Sequence, residues 1–401
     1  MYQEQDKKEY SPALMQIGYA QCCGCEACFN ACPVDAIKMQ RDREGYLVPV
    51  LSKESCVNCN LCKKVCPIAQ EKKENFDLQS YGLCSTDTDN ILRSSSGGIF
   101  SVLTDTFLKH VCEQGYIAGA VYSDDFRKVK HICSNKFSDI EKMRGSKYVQ
   151  SEKGYIYRDI EKLLKNGEYV LFTGVPCEIG ALHSFLGKDY ENLYTVDIIC
   201  KGPATPWALE QYVEDVEKKK KSKVTSINMR YKWEKLDVWI PQFIRVDFAN
   251  GKKLIKEFYN TTIGNTFRIM QRKSCSDCHY NIENHLSDIT IGDFHGADKT
   301  ASYYNHLGTS VLIINSEKGQ KLFDMIPSDA LKLENVSLDD IYKRNKHIES
   351  PQRDRLSELM QKKGMSYAVK HTIGTKEWLK MKAPVKLLRF LTRTYRKIRG
   401  I

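Results

Sequence analysis

Two cysteine-rich stretches decide the fold of the N-terminal part of this chain: CCGCEACFNACP at 22–33 and CVNCNLCKKVCP at 56–67. Both contain the spacing C-x2-C-x2-C-x3-C-P. A cubane iron–sulfur cluster needs four thiolates around one small volume, and the C-x2-C-x2-C loop is tight enough to supply three of them. The repeated pattern therefore predicts two [4Fe–4S] sites in this part of the chain.

A pair of zinc sites is the alternative. Zinc would need only C-x2-C pairs and would leave the remaining cysteines and both prolines unexplained. The segment 12–70 resembles the bacterial two-[4Fe–4S] ferredoxin module, in which the last cysteine of each run binds the other cluster. Cys23 lies off the pattern and is interpreted as a packing residue. The resemblance implies two ligand sets, Cys22, Cys25, Cys28 and Cys66, and Cys56, Cys59, Cys62 and Cys32.

Length and composition limit the class of protein. The chain has 401 residues, 42% of them apolar, which excludes a disordered protein and predicts about two or three domains. It contains no run of about 18 apolar residues and does not begin with a signal-peptide pattern, so we expect a cytoplasmic location. In a reducing compartment, the 16 cysteines are expected to be ligands or redox groups and not disulfides.

After a polar linker at 71–79, the pattern changes to alternating strands and helices over 80–330. The predicted fold class is α+β, a ferredoxin-like two-cluster module followed by a larger mixed-sheet α/β domain. The stretch FIRVDFANGKKLIKEFY at 243–259 predicts a hairpin with a two-residue turn at Asn250-Gly251. Strands are predicted at 116–123, 168–174, 193–200, 224–230, 289–294 and 310–315, and helices at 98–113, 177–187, 206–219 and 316–326.

Four further cysteines lie where the pattern changes from one element to the next: Cys177, Cys200, Cys275 and Cys278. Strand ends in an open α/β sheet meet at one edge, where ligand sites form. The four thiols are therefore candidates for another four-thiolate site, with zinc as a rival to iron. From spacing alone, the alternative to a metal site is that Cys177 and Cys200 are buried as small apolar side chains.

Five motifs in this region resemble the beta-subunit family of coenzyme F420-reducing hydrogenases and dehydrogenases, which includes bacterial proteins from polysaccharide gene clusters. The resemblance covers about 12–300 and implies a flavin (FAD) enzyme with its own [4Fe–4S] cluster, bound by Cys177, Cys200, Cys275 and Cys278. The motifs are SSSGG at 94–98, RGSKYVQS at 144–151, TGVPCEIGAL at 173–182, DIICKGP at 197–203, and CSDC at 275–278 followed by SDITIGDF at 287–294.

The same motifs fit a flavin site physically. SSSGG begins a helix, where glycine allows close approach and N–H groups favour an anion or a flavin carbonyl. Arg144 and Lys147 suit a pyrophosphate or the electron-rich edge of a flavin, and Tyr148 suits stacking. Alternatively, SSSGG is an ordinary turn and RGSKY a solvated loop. The predicted FAD-binding residues are Ser94, Ser95, Ser96, Gly97, Gly98, Arg144, Gly145, Ser146, Lys147, Tyr148, Thr173, Gly174 and Pro176.

The catalytic candidates are Lys147, Lys201 and His295. Lys201 stands where relatives often have histidine, and His295 stands where an aromatic residue is usual, so the substrate of a relative cannot be transferred to this chain. His295 could donate a proton because histidine titrates near neutral pH. A satisfied surface histidine is the alternative.

The positive charge is concentrated at the C-terminus. Residues 376–401 contain nine Lys or Arg and one Glu, whereas the whole chain has a net charge of +11. After a predicted helical extension at 331–375, this tail forms an amphipathic basic helix on a helical wheel. Such a helix suits a membrane interface, and equally suits packing on the protein's own surface. No nucleic-acid motif accompanies the charge, so no nucleic-acid partner is expected.

Together these features predict an iron–sulfur flavoprotein oxidoreductase with three [4Fe–4S] clusters and FAD. It would exchange electrons with a protein such as ferredoxin and act on a small organic molecule, with a saccharide of surface polysaccharide biosynthesis as one option. Membrane contact would place it at the inner face of the membrane. Two alternatives remain open: a deazaflavin (coenzyme F420) oxidoreductase subunit, and a non-catalytic electron-transfer subunit of a larger complex.

Overall fold

The N-terminal module is built around a short antiparallel hairpin. We analysed a computed structural model, which describes residues 10–69, 79–233, 239, 242–280, 285–342 and 349–382. Strands β1 (Ile37–Arg41) and β2 (Leu47–Leu51) pair antiparallel between the two cysteine runs. Helices α1 (Pro12–Ile17), α2 (Ala27–Ala31) and α3 (Leu61–Lys64) pack on this hairpin, and α2 and α3 each contain one of the cysteines, Cys28 and Cys62.

An eight-stranded mixed sheet forms the centre of the larger region, which confirms the predicted fold class. Its order is β13-β3-β12-β11-β7-β6-β4-β5, and the four strands β11, β7, β6 and β4 are parallel. The strands are β3 (Gln79–Ser85), β4 (Tyr116–Tyr122), β5 (Val129–Ser134), β6 (Val170–Gly174), β7 (Leu193–Ile198), β8 (Val224–Tyr231), β9 (Phe243–Phe248), β10 (Lys253–Glu257), β11 (Ile289–Asp293), β12 (Ser310–Ile314) and β13 (Leu331–Asn335).

Three strands of this sheet, β3, β5 and β13, were not predicted from the sequence. Strand β3 begins at Gln79, within the predicted linker, and pairs with both β12 and β13. The prediction of a helical extension from 331 was wrong for its first five residues, which form the edge strand β13. Leu331 and Leu333 alternate with Lys332 and Glu334, so a short strand signal was present, although only Leu331 is buried.

Strands β8, β9 and β10 form a separate three-stranded antiparallel sheet. The predicted hairpin between β9 and β10 is confirmed, but its turn has three residues, because Phe248 N–H donates to Lys252 O at 3.0 Å. Gly251 has φ +77°, a left-handed conformation that glycine adopts without strain. Such a turn is the usual three-residue alternative to the two-residue turn that was expected.

The helices cover both faces of the large sheet and pack against the small one. Among the described residues, no helix has the length and apolar character needed to cross a membrane. Of the basic tail predicted at 376–401, the structure describes 376–382 as helix, and the amphipathic helix predicted after Pro384 lies outside the described residues. The remaining helices are α4 (Thr88–Arg93), α5 (Ile99–Thr106), α6 (Phe137–Met143), α7 (Ile156–Lys165), α8 (Pro176–Leu186), α9 (Pro206–Lys220), α10 (Thr262–Ile269), α11 (Glu317–Asp324), α12 (Leu338–Tyr342), α13 (Arg353–Lys363), α14 (Met365–Ile373) and α15 (Thr375–Lys382).

The N-terminal module is fixed to the larger region by buried polar contacts. The Glu26 carboxylate accepts hydrogen bonds from the backbone N–H groups of Lys153 and Gly154 at 2.9 and 3.0 Å. Arg158 donates to the carbonyl oxygens of Asn30 and Cys32 at 2.6 and 2.7 Å. These bonds satisfy backbone groups on both sides of the contact that burial would otherwise leave unpaired, so they hold the module against α7 and the turn before it.

Candidate functional site

The first group of cysteines surrounds one cavity in the N-terminal module. Its lining includes Cys22, Cys25, Cys28 and Cys66, with Cys23 beside them. The cavity encloses about 350 Å³, a volume that includes space open to solvent. Cys66 comes from the second cysteine run and reaches this cavity because α3 packs against α2. The structure therefore brings together the four thiols that the resemblance assigns to one cluster.

A second cavity of about 380 Å³, also including solvent-open space, lies beside the first. The thiols of Cys32, Cys56, Cys59 and Cys62 line it. Cys28 and Cys62 are close enough to interact electrostatically, so the two groups are neighbours. Within the described residues, no three His, Cys, Asp or Glu side chains are close enough to hold a single metal ion. The thiols are instead spread around the two cavities.

The third group forms at the edge of the large sheet. Cys177 lies at the start of α8, just after β6, and Cys200 follows β7, so the parallel strands bring both thiols to one edge. Cys278 lies near Cys177 and Cys200, and Cys275 lies near Cys200 and Cys278. The structure thus brings together all four cysteines that the motifs singled out.

Cys23 lies between the first and third groups. Its thiol is hydrogen-bonded to both Cys177 and Cys25, and it also lies near Cys275. The interpretation of Cys23 as a packing residue overlooked this position. The spacing of the first run contained no signal for it, because Cys23 is adjacent to a ligand position and fits no metal-binding spacing.

Several N–H groups point at the cysteine sulfurs. The backbone N–H groups of Ala36 and Gly202 donate to Cys32 Sγ and Cys200 Sγ, both at 3.2 Å. Arg272 is 6% exposed, and its Nη2 lies 3.9 Å from Cys22 Sγ while its Nε donates to Cys22 O at 2.6 Å. Hydrogen bonds to cluster sulfurs and nearby charge are what set the reduction potential of an iron–sulfur centre.

The chemistry of these thiols fits iron–sulfur clusters. Burial raises the pKa of Cys66 to about 11, so this thiol would be neutral unless a positive group lay beside it. Iron ions supply that positive charge, since metal-bound thiols lose their proton. Four sulfurs around each of two adjacent cavities also match the number that one cubane cluster needs.

A buried ion pair lies between the first and third groups. Lys153 is 4% exposed and forms a salt bridge with Glu178, which follows Cys177 in α8. Ser151 Oγ donates to Glu178 Oε1 at 3.0 Å and also bonds His131 Nδ1 at 3.0 Å. Burial alone would raise the pKa of Glu178, but Lys153 and His131 outweigh burial and hold that pKa at about 2. The network fixes the start of α8, and with it Cys177.

The two motifs predicted to bind FAD lie side by side. Ser95 Oγ accepts hydrogen bonds from the backbone N–H and the hydroxyl of Ser146 at 2.8 and 3.1 Å. Arg144 donates to Ser94 Oγ at 3.1 Å, while its buried Nε has no partner among the described residues. An orphaned buried N–H of a cation is a suitable donor for an anionic ligand. Lys147 donates to backbone carbonyls at 3.1–3.2 Å, and burial lowers its pKa to about 7.

Residues that the sequence analysis did not select complete this group. Arg230, which is 5% exposed, donates to Tyr148 OH at 2.8 Å, to Asp293 Oδ2 at 2.6 Å and to Ser95 O at 2.9 Å. The indole N–H of Trp239 also donates to Ser95 O, at 3.0 Å. Lys232 donates to the carbonyl oxygens of Ser96 and Ile91. The alternating basic residues of MRYKW at 229–233 were the available signal.

The other predicted site residues have mixed placements. His295 is stacked on Trp239 with ring centroids 5.1 Å apart, and its Nε2 lies 3.4 Å from Asp293 Oδ2. Lys201 is exposed and interacts with Asp293 through its charge. Thr173 is buried, and its hydroxyl donates to Ala118 O at 3.0 Å, so it supports β4. The remaining predicted positions are Gly97 and Gly98 at the start of α5, Gly145 between Arg144 and Ser146, and Gly174 and Pro176 next to Cys177.

Comparisons with known proteins match two parts of this chain to known domains. Residues 167–339 match the family model for the C terminus of the coenzyme F420 hydrogenase/dehydrogenase beta subunit, and residues 21–69 match a 4Fe-4S dicluster domain. A chain of the F420-reducing [NiFe] hydrogenase complex from Methanosarcina barkeri shares 18% identity with a TM-score of 0.46, covering 76% of this chain and 95% of that chain. No curated protein matches. The two domain matches confirm the resemblance that the motifs indicated.

Proposed function

We propose that this chain, an iron–sulfur electron-transfer protein related to the beta subunits of coenzyme F420 hydrogenases and dehydrogenases, is a flavoprotein oxidoreductase with three [4Fe–4S] clusters. It would pass electrons between a ferredoxin-type protein, the clusters, FAD and an organic substrate. The observation that carries this proposal is the continuity of the three cysteine groups. Cys62 lies near Cys28, and Cys23 joins Cys25 to Cys177, so the groups form one series from the module to the large sheet.

Each part of the site has a separate task in this proposal. Iron–sulfur clusters transfer single electrons, and FAD pairs them for two-electron chemistry on the substrate. The chain's own contribution is to bind and orient. The twelve cysteines are the proposed ligands, and Arg272 lowers the cost of negative charge beside Cys22. Arg144 and Arg230 place positive charge around the Ser94–Gly98 loop, which suits the pyrophosphate of FAD, and Lys232 donates a hydrogen bond to the Ser96 carbonyl of that loop.

His295 is the proposed proton donor to the substrate. Its ring is held between Trp239 and Asp293, and it is partly exposed, so it is fixed in orientation and still accessible. Asp293 also accepts a hydrogen bond from Arg230, and together these contacts tie His295 to the residues proposed to hold FAD. A saccharide of surface polysaccharide biosynthesis is a proposed substrate, and none of these residues is specific for it.

Anaerobic cofactor analysis tests the proposal. The wild-type chain should contain close to twelve iron atoms and one FAD, because twelve cysteines are proposed to hold three clusters of four irons. Cys66→Ser should reduce the iron content by about four atoms, whereas the matched control Cys112→Ser should leave it unchanged. Arg230→Met should lower the FAD content and leave the iron content intact. Wild-type protein with no flavin, or with eight irons or fewer, would contradict the three-cluster scheme.

A second candidate, a deazaflavin oxidoreductase subunit, is favoured by the family match over residues 167–339. It differs from the first only in the molecule that exchanges electrons with the flavin. Reduction or oxidation of coenzyme F420 by the purified chain, followed by its absorbance, separates the two. Turnover with F420 would establish the second candidate in place of an unrelated organic substrate.

A further inference from the structure

We propose that the surface around the second cysteine cavity is the docking face for a small acidic electron-carrier protein. This inference deepens the proposed function, because it rests on the second cavity holding an iron–sulfur cluster. We define the docking face by the apolar residues Met15, Val34, Val57 and Leu61 and the basic residues Lys53, Lys63 and Lys64.

Exposure is the first observation that supports the docking face. Cys59 is itself exposed, whereas all the cysteines proposed as ligands at the first cavity are buried. A cluster held by Cys59 would therefore lie at the protein surface, and one held at the first cavity would lie further inside. Electrons that arrive from another protein would reach the second cavity first, because it is the one closer to solvent.

The second observation is a concentration of exposed apolar side chains around that cavity. Val57 is 60% exposed and Val34 is 43% exposed, and both line the cavity. Leu61 at the start of α3 is 39% exposed, and Met15 on the adjoining α1 is 75% exposed. Grouped apolar residues with a polar rim are typical of protein interaction sites, and redox partners use small interfaces of this kind.

The third observation is the charge of the rim. Within 52–69, Lys53, Lys63 and Lys64 are exposed, and Glu54 is the acidic residue of that stretch. The Asp35 carboxylate, close to Val34, forms a salt bridge with Arg158 at 3.1 Å, which offsets its negative charge. The docking face is therefore positive, and it would attract an acidic partner and repel a second copy of this basic chain.

Charge reversal on the docking face tests the proposal in the full-length holoprotein. Lys63→Glu combined with Lys64→Glu reverses the local charge. The matched control is Lys218→Glu combined with Lys219→Glu, because these lysines are also exposed, lie at the far end of α9, and change the net charge by the same amount. The measurement is the stopped-flow rate of cluster reduction by a reduced acidic two-[4Fe–4S] ferredoxin, with methyl viologen as a small reductant.

At about 20 mM ionic strength, the Lys63/Lys64 variant should be reduced by ferredoxin about tenfold more slowly than wild type, and the difference should shrink at about 500 mM. The Lys218/Lys219 control should stay within about twofold of wild type. Reduced methyl viologen is a cation, so it should reduce the Lys63/Lys64 variant at least as fast as wild type. Val57→Ser, which retains the charges, should weaken ferredoxin binding at both salt concentrations. If the charge reversal lowers the iron content, the same rates are measured on Lys63→Gln combined with Lys64→Gln, which removes both charges without reversing them.

Equal effects of the two double variants would overturn the docking face while leaving the clusters in place. Self-association of the wild type that Val57→Ser abolishes would also overturn it, by assigning the face to a second copy of the chain. Failure of methyl viologen to reduce any cluster in the wild type would instead contradict the proposed function. The two failures are therefore distinguishable.

Discussion

Replacing Arg272 with methionine removes a buried positive charge from beside the first cysteine group. The guanidinium donates to Cys22 O at 2.6 Å and to Leu47 O at 3.1 and 3.2 Å, and its Nη2 lies 3.9 Å from Cys22 Sγ. Reduction adds an electron, and a nearby cation stabilises the reduced form. We therefore expect Arg272→Met to shift the reduction potential of the cluster at the first cavity to a more negative value.

The separation of Arg272 and Cys22 gives the size of the shift. Two unit charges about 4 Å apart interact by about 4 kcal/mol at an effective dielectric constant of about 20. The added electron is spread over the irons and sulfurs, so we expect its interaction with Arg272 to be about a third of that energy, ~1.4 kcal/mol. For a one-electron couple this corresponds to ~60 mV. Arg272→Lys keeps the charge and should shift the potential by less than ~20 mV.

An anaerobic redox titration followed by electron paramagnetic resonance measures this shift. Iron content must be checked first, because the methionine leaves the carbonyls of Cys22 and Leu47 without their donor at a cost of about 1–3 kcal/mol each. The reasoning would be refuted by equal potentials in Arg272→Met and wild type at full iron content. Equal shifts in the lysine and methionine variants would show that packing, and not charge, sets the potential.

Two further predictions concern stability. Arg353→Met removes the charged partner that lies 2.6 Å from the buried Glu44 carboxylate, so the free energy of unfolding in urea should fall by about 3–5 kcal/mol. Combining Glu44→Leu with Arg353→Met should recover part of that loss. Burial lowers the pKa of Lys232 to about 7 in the folded state, so folding favours the neutral amine. The contribution of Lys232 to the free energy of unfolding therefore rises as the pH increases from about 7 towards 10. The gain in thermal stability between pH 7 and pH 9 should therefore be smaller in Lys232→Met than in wild type; equal gains would contradict the assignment.

The cysteine spacing and the parallel strands could be predicted from sequence because both are local signals. The spacing within the runs at 22–33 and 56–67 indicates the predicted ligand residues, and β6 and β7 are short apolar runs bounded by polar turns. Strand β13 was missed because its alternation of leucine with charged residues covers only four positions, the shortest pattern that indicates a strand. Its partner β3 supplies the hydrogen bonds, and that pairing is a long-range contact.

Arg230 and Arg272 were missed for a related reason. Each is a buried cation whose partners lie far away in the chain, Ser95 for Arg230 and Cys22 for Arg272. From sequence alone, an arginine in a strand or loop is predicted to be exposed, because arginine is seldom buried without a partner. Only the fold shows that the partner is present. The two buried arginines next to predicted ligands could therefore be identified only from the three-dimensional structure.

The third cysteine group has four thiols, and Cys23 lies beside them as a fifth, whereas a cubane cluster needs four ligands. Cys200 is the exposed member of the group, and Cys23 contacts Cys177 from the N-terminal module. The family resemblance assigns the fourth position to Cys200, whose sulfur also accepts the Gly202 N–H at 3.2 Å. Cys200→Ser should therefore lose about four irons, while Cys23→Ser should retain all of them. The reverse result would make Cys23 a ligand across the domain boundary, so that the third cluster could form only with the N-terminal module docked.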